Sequence, residues 1–253
     1  MVLMHGKITD EGLAQLRARL GTYNRPSRYG IGVYNEYAGR DAIRHFVQGI
    51  GDPNPLWVDE KYARKTQYGT IIAPPCFLYS VYWSSGRVGG LPGVHGFHSG
   101  SDWSFERPIF LNDRITVREK FIDLVEKESK FARRSVIVYC RTIYRNQRGE
   151  VIATTRGWSV KAERGAAKES GKYSGIQAAK YTKEELEAIE EAVLAEEVRG
   201  AVPRFWEDVN VGDELRPVVK GPLSHGDLIA FRAGALGGLA HGIQLRYFRK
   251  HPA

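Results

Sequence analysis

The stretch GDPNPLWVDEKYARKTQYGTIIAPPCFL, Gly51 to Leu78, decides how this 253-residue chain is read. Asp52-Pro53-Asn54-Pro55 dictates a turn, because proline fixes φ and asparagine can bond its own backbone. A short helix is expected after Asp59, carrying Tyr62 and Ala63. Pro74 and Pro75 exclude a helix interior but can occupy a first turn. From Cys76 to Ser84 nearly every residue is apolar or aromatic, the composition of a buried helix.

Upstream, GRDAIRHFVQGIG places Ile43, Phe46, Val47 and Ile50 at i, i+3, i+4 and i+7, so an amphipathic helix runs into Gly51. An earlier helix is expected over 9–20, capped by Thr9, with Leu13, Leu16 and Leu20 on one face. Downstream of Gly100 the period changes to two. DRITVREKFID sets Ile115, Val117 and Glu119 opposite Thr116, Arg118 and Lys120. RSVIVYCRTIYRNQRGEVIATTRGWSVKAE holds two strands joined through RNQRGE. GFHSGSDWSFERPI adds another, with Trp103 and Phe105 on one face. Helices followed by at least four antiparallel strands predict an α+β fold, a long buried helix against a curved sheet.

Residues 162–181 are small, polar and charged, the composition of a linker. A helix follows, with Thr182 and Glu185 as a capping box, Leu186, Ile189 and Val193 on one face, and Gly200 as its stop. The tail reads as strand, Gly-Pro turn, then a helix capped by Ser224. HGDLIAFRAGALGGLAH faintly echoes GRDAIRHFVQGIGDPNP.

Composition bounds the function. The net charge is +8, from 37 Lys and Arg against 29 Asp and Glu, which suits an anionic partner or serves solubility alone. The basic residues are scattered and no nucleic-acid motif occurs, so a small anionic ligand is favoured over nucleic acid. Cys76 and Cys140 sit in apolar surroundings and read as buried thiols of a reducing compartment. The opening MVLMHGKITDEG has no long apolar core, and IIAPPCFLYSVYW is too short to span a bilayer. A cytoplasmic protein, without membrane attachment, is expected.

The stretch from Gly51 to Leu78 resembles the hydratase motif of the MaoC-like, (R)-specific enoyl-CoA hydratase family, Gly-Asp-x-Asn-Pro-Leu-His followed by an apolar strand and a helix. The resemblance covers about residues 1–165 and implies the hot-dog fold, a long central helix wrapped by an antiparallel sheet. IIAPPCF is similar to the N-terminal half of two-module and heteromeric dehydratases of that family. RFWEDVNVGDEL resembles the opening strand of a further module. The expected layout is a hot-dog domain over 1–165, a linker and helix over 166–200, and a partial second hot-dog segment over 201–253.

The resemblance maps Asp52 onto the family's catalytic aspartate and Asn54 onto the asparagine that orders the loop. In the family, Asp and His together activate the water that adds to an enoyl thioester or leaves a 3-hydroxyacyl thioester. The His position is Trp57 here, and indole is a donor that does not titrate usefully. The family also polarises the thioester carbonyl with a backbone N–H at the start of the helix, where this chain has Pro74 and Pro75. Trp57, Pro75, Cys76 and Phe77 are the expected walls of the acyl pocket, and His98 is a further candidate facing it from a strand. The aromatic set Phe77, Tyr79, Tyr82 and Trp83 reads as core or as the lining of an acyl tunnel. His95 and His98, three apart, lack the additional ligands of a metal site, so no metal is expected. No separate cofactor is implied, since coenzyme A is part of the substrate.

The leading expectation is a subunit of an enoyl-CoA hydratase or 3-hydroxyacyl-CoA dehydratase of fatty acid or steroid side-chain metabolism. It would act as a homo- or hetero-oligomer with another hot-dog subunit that supplies the intact Asp/His pair. A non-catalytic acyl-CoA-binding protein and a hot-dog thioesterase are the alternatives.

Overall fold

A computed structural model describes residues 6–24, 33–84, 88–129, 133–163, 177, 179–197, 200, 202, 204–237 and 241–250. The expected linker lies largely outside these residues. Helix α1 is Asp10–Arg17, with the Thr9 hydroxyl accepting from the Gly12 N–H. Leu13 and Leu16 are buried, but Leu20 lies beyond the helix end and is exposed. Strand β1 is Tyr23–Asn24 and helix α2 is Arg40–Ile50. Ile43, Phe46 and Val47 of α2 enter the core, as the periodicity requires. Gly51 ends α2 with φ at 63°, a left-handed conformation that glycine adopts without strain. A 3-10 turn, Pro55–Trp57, and helix α3, Glu60–Ala63, follow, then strand β2, Ile72–Ala73.

The central helical segment is shorter than its composition suggests. A 3-10 turn over Pro75–Phe77 continues into α4, Leu78–Val81, and the chain is extended by Tyr82. The backbone groups that continued helix would satisfy find other partners. The Tyr144 hydroxyl donates to the Tyr82 carbonyl at 2.6 Å, and the Ser101 hydroxyl donates to the Ser84 carbonyl at 3.3 Å. Gly157 permits this close approach, because a Cβ there would lie 2.1 Å from the Ser84 carbonyl oxygen.

Five further strands complete the sheets: β3 His95–Phe105, β4 Ile109–Phe110, β5 Thr116–Ser129, β6 Arg133–Arg145 and β7 Val151–Ala162. The main sheet is antiparallel with order β1-β5-β6-β7-β3, and β2 pairs with β4. The hairpin between β6 and β7 is held by the Asn146 side chain, which accepts from the N–H groups of Arg148 and Glu150. The inner face of the sheet covers α2 and the central segment, where Phe77, Leu78, Val81, Ile109, Ile115, Tyr144 and Ile152 form one core. A second cluster joins Leu13 and Leu16 to Phe121, Val136 and Val138.

Helix α5 is Lys183–Leu194, with the expected reciprocal capping box between Thr182 and Glu185. It ends at Ala195, short of Gly200, and buries none of its residues. The expected strand in the tail does not form among the described residues. Arg204–Lys220 holds only the 3-10 turn Trp206–Asp208, because no neighbouring strand is there to take its backbone groups. Helix α6, His225–Phe231, starts at the Ser224 cap and runs into a π-helical turn, Arg232–Leu236. Helix α7 is His241–Lys250. The α6–π segment packs on α2. A Cβ at Gly234 would lie 2.1 Å from the His45 carbonyl oxygen, and Ala235 joins the α2 core.

Candidate active site

The loop after α2 is built by its own side chains. The Asp52 N–H donates to the Val47 carbonyl at 2.9 Å, closing the helix. Asp52 Oδ1 accepts from the Asn54 N–H at 3.0 Å, and Asn54 Oδ1 accepts from the Leu56 N–H at 3.0 Å. These two Asx bonds bend the chain so that the 3-10 turn swings Trp57 back over Asp52. The indole Nε1–H of Trp57 then donates to Asp52 Oδ2 at 2.9 Å. Each carboxylate oxygen therefore carries one donor within the loop. The Lys220 ammonium reaches the Gly51 carbonyl at 2.6 Å and ties the tail to the base of this loop.

Cys76 faces the same place. Burial pushes its thiol up, its own backbone N–H opposes this, and the negative charge of Asp52 adds to the rise. A thiol so placed stays protonated and is no nucleophile. Pro74 and Pro75 carry no N–H, and the Phe77 N–H is already given to the Pro74 carbonyl at 2.8 Å. Among the described residues the Cys76 amide is thus the one donor at the start of this helix that a carbonyl could use.

Of the expected pocket residues, Trp57 and Cys76 are half-buried beside Asp52 and Pro75 is exposed. Phe77 is fully buried and packs edge-on against Phe46 at 5.5 Å, within the core. The His98 ring lies edge-on to Trp83 at 5.5 Å, next to a bulge in β3, and the Asp52 carboxylate is held by Asn54 and Trp57. Tyr79 and Trp83 join an aromatic layer with Trp103, whose indole N–H donates to the Tyr79 hydroxyl at 3.1 Å. Among the described residues no cluster of three metal-ligating side chains occurs.

The structure also exposes a group that the site reading passed over. Glu119 is fully buried within the sheet and accepts from Asn24 Nδ2 at 3.0 Å, Tyr82 OH at 2.9 Å and Thr142 Oγ1 at 3.1 Å. Burial pushes its carboxyl up, against the lowering effect of these hydrogen bonds. The signal was present in the sequence, since Glu119 shares the inward face with Ile115 and Val117.

Comparison with known proteins places this geometry. The family described as "FAS1-like, dehydratase domain region" matches residues 31–155, the span that holds the loop, the central segment and most of the sheet. Residues 31–155, just under half of the chain, are thus similar to that dehydratase region. A probable enoyl-CoA hydratase alpha subunit of Thermomonospora curvata is 31% identical over 133 residues, 45% of this chain and 41% of that protein. A UPF0336 protein of Streptomyces avermitilis is 34% identical over 85 residues, 31% of this chain and 57% of that protein. The chain therefore spans about half the length of these curated relatives. A solved structure titled "MaoC-like dehydratase" superposes with a TM-score of 0.56 at 21% identity, over 87% of this chain and 67% of that one. The fold is the hot-dog fold, with the sheet wrapped on a shorter central helix than expected.

Proposed function

We propose that this chain is a subunit of an enoyl-CoA hydratase or 3-hydroxyacyl-CoA dehydratase that works with a second hot-dog subunit. The observation that carries the reading is the Trp57–Asp52 hydrogen bond in the position where the family motif has its histidine. Water addition needs a group that takes a proton from water and one that returns a proton to the α-carbon. Asp52 can hold a water by its remaining lone pairs, but indole cannot shuttle the proton. The prolines at the helix start remove further carbonyl polarisation, and losing one such donor typically costs about 100- to 1000-fold in rate. An Asp/His pair on a partner chain supplies both functions, while this module contributes the surrounding wall of the acyl site. The relative from Thermomonospora curvata, named an alpha subunit, supports a heteromer.

A second reading rests on the same bond. With both Asp52 oxygens engaged, the module binds an acyl thioester without reacting it. A thioesterase is disfavoured, because the central segment Pro75–Val81 offers no carboxylate or asparagine to aim at a thioester.

The test is to purify the chain with a small hot-dog protein carrying Gly-Asp-x-Asn-Pro-Leu-His and assay crotonyl-CoA and a bulkier enoyl-CoA, following hydration and thioester loss separately. The subunit reading expects hydration by the complex only. Binding without hydration by the complex favours the second reading, and thioester loss favours the third.

A further inference from the structure

The outer face of the main sheet carries a row of cations that lacks carboxylate partners. Lys120 on β5 is directly opposite Arg141 on β6, which is directly opposite Arg156 on β7. All three are exposed, and among the described residues none forms an ion pair. The Arg156 guanidinium lies 4.3 Å over the Tyr139 ring, and Lys120 lies 5.7 Å over the Tyr23 ring. Like charges directly opposite across strands destabilise a sheet. Asp102, opposite Arg156 on β3, borders the row without ion-pairing to it. The neighbouring row sets Tyr139 beside Trp158, both half-buried, so the patch is flat, aromatic and positive.

The same chain carries the complement. Helix α5 has Glu184, Glu185, Glu187, Glu190 and Glu191 in twelve residues, with Lys183 as its one cation, itself paired to Glu187. Of its apolar stripe, Leu186 and Val193 are exposed and Ile189 is half-buried, and the helix holds no fully buried residue. An amphipathic helix polar on one side and uncovered on the other is a surface waiting for a partner. Glu190 borders the stripe, and Glu187, one turn earlier, lies on the same side of the helix. A twelve-residue helix is about 18 Å long, enough to lie across three strands spaced about 4.8 Å apart.

We infer that the chain self-associates by docking α5 of one copy on the Lys120–Arg141–Arg156 face of another. In a twofold dimer the contact is made twice, helix of each on sheet of the other. The stripe covers Tyr139 and Trp158 while the glutamates neutralise the cation row. This inference stands apart from the proposed reaction, because it uses neither Asp52 nor Trp57.

The experiment measures the mass of the purified full chain in solution at low and high salt. The wild type is expected to dimerise, with association weakened at least about tenfold at high salt. Arg141→Glu/Arg156→Glu and Glu187→Lys/Glu190→Lys are each expected to weaken self-association at least about tenfold, and an equimolar mixture of the two to recover the dimer. Arg141→Gln/Arg156→Gln, which removes the charge but keeps a polar side chain, should give an intermediate loss. A chain that is monomeric at low salt, an oligomer indifferent to both charge reversals, or a mixture that fails to re-associate overturns the inference.

Discussion

An indole N–H and an imidazole can both hold a carboxylate, but only imidazole has a second, titratable nitrogen. In this loop the difference falls on one atom pair, Trp57 Nε1 and Asp52 Oδ2. Trp57→His puts a titratable ring within the same loop, and the expected result is crotonyl-CoA hydration by the chain at about 10- to 100-fold the buffer rate, the lower part of what acid–base catalysis contributes. A folded variant that stays at the wild-type level would move the limiting defect to the missing amides at Pro74 and Pro75. Glu119 gives a second expectation at this scale. Its folded carboxyl is raised by burial, so between the ordinary carboxylate range and that raised value the folded state holds an extra proton. Stability therefore declines as pH rises through that window. Glu119→Gln has no proton to lose, so its melting temperature should gain on the wild type as pH rises from acid to neutral. Glu119→Ala removes the acceptor shared by one buried and two half-buried donors and should cost about 1–3 kcal/mol, read by denaturant unfolding. An unchanged difference between wild type and Gln across pH would show that Glu119 does not titrate in the fold.

At the scale of elements, the periodicities and the Gly51 stop were readable, and the end of the central helix was not. The 3.6-residue spacing of Ile43, Phe46 and Val47 and the alternation through β5, β6 and β7 are local properties of the chain, and the structure follows them. The end of the central helix is not local. It depends on hydroxyls of Ser101 and Tyr144, far along the sequence, that take the carbonyls of Ser84 and Tyr82. The missing tail strand has the same cause, since a strand exists only where another backbone pairs with it. The packing of the α6–π segment on α2 was not read from the sequence, where the two only echo each other faintly, yet it is a close backbone contact at Gly234. Gly234→Ala should cost about 1–3 kcal/mol in thermal or denaturant unfolding, because the methyl has no room beside the His45 carbonyl. A neutral result would mean that the two segments separate readily.

Across the whole molecule, the fold was legible from residues 51–78, because the motif joins a turn, a strand and a helix in fixed order. The candidate site was legible as residues but not as an arrangement. Asp52, Asn54 and Trp57 were identified, while the hydrogen bond that occupies Asp52 and the burial of Phe77 needed coordinates. The tail remains open on one side, with Trp206 89% and Leu215 77% exposed. If a second hot-dog subunit completes the molecule there, amides of 204–219 should exchange with solvent more slowly in the complex than in the free chain. Equal exchange would place the partner on another surface. The central claim is that the Trp57-occupied loop cannot hydrate an enoyl thioester by itself. The purified chain alone, mixed with crotonyl-CoA and followed by loss of enoyl absorbance, is expected to show no rate above buffer. Ordinary enzymatic turnover that disappears in Asp52→Asn would contradict it.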